Sequence, residues 1–128
     1  MKTLILALLL AASPVQSDRK ALRVSLEGDA SMRGKMVQAL RDREEEYGFR
    51  FTFTETVREP YDIRIVTGAE GTGMWNYAQG SAVVLTSDCS VITVVTRSNR
   101  LTAKGAVNAV VKEVVKDLQR FYGTKKKD

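Results

Sequence analysis

Two aromatic residues, Trp75 and Tyr77, stand two positions apart in a glycine-punctuated segment running from Gly68 to Gly80. In an extended chain that spacing puts both rings on one side, and aromatic pairs of this kind anchor partners at little entropic expense. With Met74 they form the expected partner-binding group. The plainer reading is that they cover the open face of a sheet. A second group gathers where the last strand enters the final helix: Arg97, Arg100 and Lys104. Cations beside a helix N-terminus can hold an anion, although ordinary solvated charge has the same pattern.

Other chemistry finds less support. Gly68-Ala69-Glu70-Gly71-Thr72-Gly73 looks like a phosphate loop. A dinucleotide loop, however, must lead from a strand into a helix, and this one leads into Met74-Trp75-Asn76-Tyr77 and a further strand. Asp62 with Glu59 or Glu70 offers carboxylate pairs, with no sign in the sequence that either is buried. The chain contains no histidine, which removes Ser–His and Cys–His nucleophile pairs and the commonest metal ligand. Its single cysteine, Cys89, makes neither an internal disulfide nor a cysteine zinc cluster, and reads as a turn residue. No catalytic residue, metal site or cofactor is expected.

The N-terminus carries an address. Lys2 precedes an apolar run from Leu4 to Ala12, and Ser13-Pro14-Val15-Gln16-Ser17 leads into Asp18. A basic start, an apolar stretch too short to span a bilayer and small residues before a cut describe a signal peptide over residues 1–17. A retained anchor helix is the alternative. The expected mature protein is exported, periplasmic if bacterial and otherwise secreted. Residues 18–123 then form one domain, of roughly ordinary single-domain size. Residues 124–128, with Lys125, Lys126 and Lys127, read as a disordered basic tail.

The formal net charge of +5 comes from 20 basic and 15 acidic residues. Lys2 and the tail account for much of it. Elsewhere acids and bases alternate along both expected helices, unlike the one-sided basic face of a nucleic-acid binder. No nucleic acid partner is expected, and no membrane span after signal cleavage.

The elements that must position these residues follow from hydrophobic period. Leu22, Val24 and Leu26 alternate with polar residues, as in a strand with one buried face. After Gly28, Asp29 or Ser31 caps a helix whose apolar stripe is Met32, Met36, Val37, Leu40 and Tyr47. The charged run Arg41 to Glu46 covers its wet side, and Gly48 ends it. Phe49, Phe51 and Phe53 mark a second strand, Ile63 and Ile65 a third that stops at Gly68. Ser81 to Thr86 and Ser90 to Thr96 form a hairpin about a turn at Ser87-Asp88-Cys89. The fifth strand is apolar on both faces through Val91, Ile92, Val94 and Val95, which predicts a central position. Thr102 caps the final helix, striped by Val107, Val110, Val111, Val114, Leu118 and Phe121.

The order β-α-β-β-β-β-α predicts an α+β two-layer sandwich of about five mostly antiparallel strands, with both helices on one face. A strand–helix–strand opening predicts a parallel crossover, and the later strands an antiparallel meander.

Tyr61-Asp62-Ile63-Arg64-Ile65-Val66-Thr67-Gly68 resembles the strand of cell-envelope α+β domains of the TolB N-terminal and CsgG type. In these a strand ending in glycine is followed by a hairpin and a final helix. Val83 to Asp88, Ser90 to Arg97 and Lys104 to Val110 repeat that order. The resemblance implies a non-catalytic envelope domain that works through protein contacts. The expectation is therefore an exported domain binding a protein or cell-envelope component. A small-molecule or anion-binding periplasmic domain is the alternative, and a histidine-free hydrolase the third choice.

Overall fold

The computed structural model describes residues 19–56, 58–72, 77–100 and 102–125. Five strands form one sheet: β1 (Lys20–Glu27), β2 (Phe49–Phe53), β3 (Ile63–Thr72), β4 (Tyr77–Thr86) and β5 (Val91–Arg100). The helices are α1 (Ala30–Asp42), the single turn α2 (Glu44–Tyr47) and α3 (Ala103–Tyr122). Strand order is β2-β1-β3-β4-β5. β1 runs parallel to both β2 and β3, while β3, β4 and β5 are antiparallel neighbours. The sheet is mixed, and the fold is the expected α+β class.

Period-two alternation places Leu22, Val24, Ile63, Ile65, Ala82 and Val84 beneath the helices, all buried. Phe49 and Phe51 of β2 stack at 5.4 Å and complete this face. From above, Met32, Met36 and Leu40 of α1 meet the valine stripe of α3 in one core. The β-branched residues of α3 give it modest intrinsic helicity, so burial of that stripe is what stabilises it.

The helix ends follow their local chemistry. Asp29 accepts from the Met32 amide at 2.9 Å and so caps α1. Thr102 does the same for Gly105 at 2.9 Å at the start of α3. Gly48 and Gly123 take the left-handed conformation at the C-termini, with φ of 78° and 71°. Thr124, the first residue of the expected tail, donates its hydroxyl to the Tyr47 carbonyl at 2.9 Å.

Four features differ from the sequence reading. The helix expected to run unbroken to Tyr47 pauses at Arg43, whose φ of −108° and ψ of 0° end α1. The pause lets Glu44 turn inward, where its carboxylate accepts from the Phe51 amide at 2.6 Å. Glu44 is thus no solvated side chain; it satisfies an N–H of the edge strand β2. β5 is not central but the other edge, because among the described strands it pairs with β4 alone. In α3, Phe121 is 55% exposed and Tyr122 packs against Phe49 instead. A 3.6-residue period carries the stripe from Leu118 to position 122.

The last difference concerns the glycine segment, expected to be irregular from Gly68 onward. The ladder of β3 and β4 continues into its described parts, pairing Gly68 with Ser81, Ala69 with Gly80 and Thr72 with Tyr77. Gly80 has a packing reason: a Cβ there would meet Val110 Cγ2 at 3.2 Å and the Ala106 carbonyl oxygen at 3.3 Å. The missing side chain lets α3 lie close on the sheet.

Candidate functional site

The helices cover one face of the sheet and leave the other open. On β1 and β3 that open face is polar, with Arg23 and Arg64. Arg64 reaches Glu27 at 3.6 Å and lies over the Tyr61 ring at 4.9 Å. Toward β5 it turns apolar. Val66, Val83 and Val94 are aligned across three adjacent strands. Arg64, Leu85 and Val91 form the next row. A register shift between Val84 and Leu85 on this edge pairs Val91 with Leu85, so Val91 joins the open face beside Val94. Val91 is 60% exposed, Val94 64% and Val66 37%. Three or more aliphatic side chains adjoining on an edge form a contiguous patch rather than scattered surface residues.

Sequence reasoning recognised that β5 is apolar on both faces and drew the wrong position from it. A central strand and an edge strand with one exposed apolar face have the same pattern. Only the pairing partners separate them.

The residues proposed from sequence fall as follows. Met74 and Trp75 lie outside the described residues. Tyr77 opens β4 opposite Thr72, an even number of positions before Val83 and Leu85 on the same strand. Tyr77 is therefore on the strand that also carries Val83 and Leu85 of the apolar patch.

Arg97 and Lys104 are not brought together. The Arg97 guanidinium lies 3.6 Å from Glu113 and donates to the Thr96 carbonyl at 2.8 Å. Lys104 is exposed and lines a groove between α1 and α3. Lys104 and Glu113 are nine residues apart, so about half a turn of helix separates the sides on which they stand. Arg100 pairs in the ladder with Ala78.

Asp62, considered for acid–base work, is tied to Arg23. Its carboxylate accepts from the Arg23 amide at 2.7 Å and lies 3.3 Å from the guanidinium nitrogen. That hydrogen-bonded cation holds the carboxyl below the ordinary range. Glu59 accepts from the Glu55 amide at 3.0 Å. Asp88 caps the turn between β4 and β5 through Thr86 and Ser90, which lower its pKa. Cys89 is exposed in that turn with a left-handed φ of 68°. Among the described residues no three His, Cys, Asp or Glu side chains gather to hold a metal. No described helix is long and apolar enough to cross a membrane.

No family model matches the chain, and no curated protein does. Among solved structures, it is similar to the N-terminal domain of Protein Y from Thermus thermophilus. The two are 10% identical with a TM-score of 0.48, over 80% of this chain and 98% of that one. A likeness at that level bears on neither function nor partner.

Proposed function

We propose that this protein is an exported, non-catalytic domain that binds a protein partner, at the cell envelope or outside the cell. The observation that carries the reading is the uncovered valine patch on β3, β4 and β5, centred on Val91 and Val94. Burying exposed aliphatic surface contributes about 25 cal/mol per Å², so a partner that covers these side chains gains directly from them. β5 is also an edge, with backbone groups along one side free to pair with an incoming strand. The place of Tyr77 on β4, the strand of Val83 and Leu85, supports a role for Trp75 and Tyr77 in the same surface. The anion-binding alternative draws less support, since Arg97 is engaged by Glu113 and Lys104 stands on the other flank of α3.

The test is capture from cell-envelope extract by the wild-type domain and by Val91→Lys/Val94→Lys. Both side chains are exposed, so melting should hold while specifically captured protein disappears. Identical capture by both forms would defeat the reading. The export component rests on residues 1–17, and N-terminal sequencing of mature protein should begin at Asp18.

A further inference from the structure

The helical layer, on the side of the domain opposite the valine patch, carries a seam between α1 and α3. Its first half is a groove of about 620 Å³. Ala39 and Val107 supply its apolar floor, and both are buried. Ala30 and Gly34 make one wall low: a Cβ built on Gly34 would have nothing within 4 Å. Gln38 and Asn108 add amides, and Lys35 and Lys104 stand at the rim.

A second hollow of about 370 Å³ lies further along the same seam, lined by Arg43, Glu46, Tyr47, Lys112 and Lys116. The residue numbers rise together on both walls, from α1 into α2 on one and along α3 on the other. Lys104 and Lys116 are twelve residues apart on α3, so the seam extends about 18 Å, or some three helical turns. Five cations border it: Lys35, Arg43, Lys104, Lys112 and Lys116. The carboxylates along it are Asp42 and Glu46, and Asp42 already accepts from the Gln38 amide at 2.8 Å; Lys116 also lies 3.8 Å from Glu113. The excess is cationic.

We propose that this seam binds an amphipathic helix of a partner protein, with small apolar residues toward Ala39 and Val107 and an acidic flank toward the lysines. A groove between two helices accepts a third by the same ridge packing that joins the first two, and small residues let the backbones approach. The cations set the charge of the incoming flank. An apolar floor separates this occupant from a bare polyanion. Single-stranded nucleic acid is held by cations interleaved with aromatic faces. Here the aromatic lining is Tyr47, which is 4% exposed and packed into the core. This surface is distinct from the valine patch, and a domain with both engages partners on two sides.

The test uses a fluorescein-labelled synthetic helix about four turns long, with an Ala/Leu face flanked by Glu, and a twin with Lys for Glu. Binding to the full mature domain is read by fluorescence anisotropy, with inorganic polyphosphate as competitor. The acidic helix should bind at least about ten-fold more tightly than its twin, with affinity falling as salt is raised. Gly34→Leu fills the groove from an open position, so it should weaken binding about ten-fold or more while melting is unchanged or raised. Gly34→Ala, a control with room for its methyl, should keep binding. Lys104→Glu/Lys112→Glu should weaken the acidic helix and favour the twin. Val91→Lys/Val94→Lys should leave the affinity unaltered, which separates failure of this site from failure of the sheet surface. The proposal is overturned by no binding of the acidic helix, by equal affinity in wild type and Gly34→Leu, or by polyphosphate binding that survives Gly34→Leu and displaces the peptide fully.

Discussion

Asp62 grips Arg23 at both its backbone and its side chain. The Asp62 carboxylate accepts from the Arg23 amide at 2.7 Å and from its guanidinium, while the Asp62 amide donates to the Arg23 carbonyl at 2.9 Å. The topology explains the position of this clamp. β2 lies along the first half of β1, ending with Phe53 opposite Val24, and β3 begins with Ile63 opposite that same Val24 on the other side. The chain therefore crosses β1 over residues 54–62 without running back along the sheet. A parallel connection ordinarily needs a dozen or more residues and a helix. Both ends of the link are tied to β1, through Thr54 N–H to the Val24 carbonyl at 3.0 Å and through Asp62.

Asp62→Ala should accordingly destabilise the domain more than removal of a surface ion pair would, because it also strips an acceptor from a backbone N–H. The loss should reach about 0.5–1.5 kcal/mol in chemical denaturation, since the bonds are solvent-exposed. Arg23→Ala, which keeps the backbone bonds, should lose less. Equal losses would show that the guanidinium, not the backbone, is the important partner. The pH dependence has a definite sign. The folded carboxyl lies below its ordinary range, so its contribution is present above about pH 4 and is lost as pH falls through the folded value. Acid melting of Asp62→Asn should lack that component.

Tyr122 behaves in the opposite sense. Burial raises its hydroxyl pKa, and the Asp62 charge adds to the shift. The folded state favours the neutral phenol, so the contribution is whole below about pH 10 and is lost as pH rises through the folded value. Tyr122→Phe should keep the T-shaped contact with Phe49, whose centroid lies 6.4 Å away, and should show a flatter alkaline limb of stability. Ultraviolet titration should show a late-ionising component in wild type that Tyr122→Phe lacks. If the variant's alkaline limb matches wild type, Tyr122 does not carry the effect.

Two glycines make a contrasted pair. Gly80 faces the backbone of α3 at near-contact distance, so Gly80→Val should cost about 1–3 kcal/mol through overpacking. Gly34 sits in α1 with open space beside it, so Gly34→Ala should raise stability by roughly 0.5–1 kcal/mol through helix propensity. Thermal melts of both variants decide the matter; a stable Gly80→Val would mean that α3 does not press on β4 there.

Adjacent positions on α3 make another. Val111 is buried and Lys112 exposed. Val111→Asp would place an unpaired carboxylate in the core, a penalty of several kcal/mol against a total stability of about 5–15 kcal/mol. It should abolish folding, whereas Lys112→Asp should fold. Circular dichroism of the two proteins distinguishes them, and equal melting would mean that the helix faces are misassigned.

The pair Trp75 and Tyr77 offers a test that separates surface from core. As a partner surface, Trp75→Ala/Tyr77→Ala should melt near wild type and lose captured protein. A loss of roughly 3 kcal/mol or more would instead mark the rings as part of the packed interior.

Local signals determined a good deal of this fold. The alternation of Leu22 with Val24, of Phe49 with Phe51 and of Ile63 with Ile65 specifies strands with one buried face, since successive side chains point to opposite sides. Asp29, Thr102, Gly48 and Gly123 mark helix ends because capping needs only the backbone a few residues away. What depends on residues far apart in the chain was settled by tertiary structure alone. Val91 and Val94 are exposed because they stand on the sheet face that the described helices leave open, at an edge strand, and no local pattern encodes either asymmetry. Glu44 reads as part of a charged run until Phe51 presents its amide. Arg97 and Lys104 are close in sequence, yet Arg97 on β5 meets Glu113, which stands about half a helical turn around α3 from Lys104. The cationic seam is assembled from residues 30–47 and 104–116, and its groove exists only because two helices lie side by side on the same sheet.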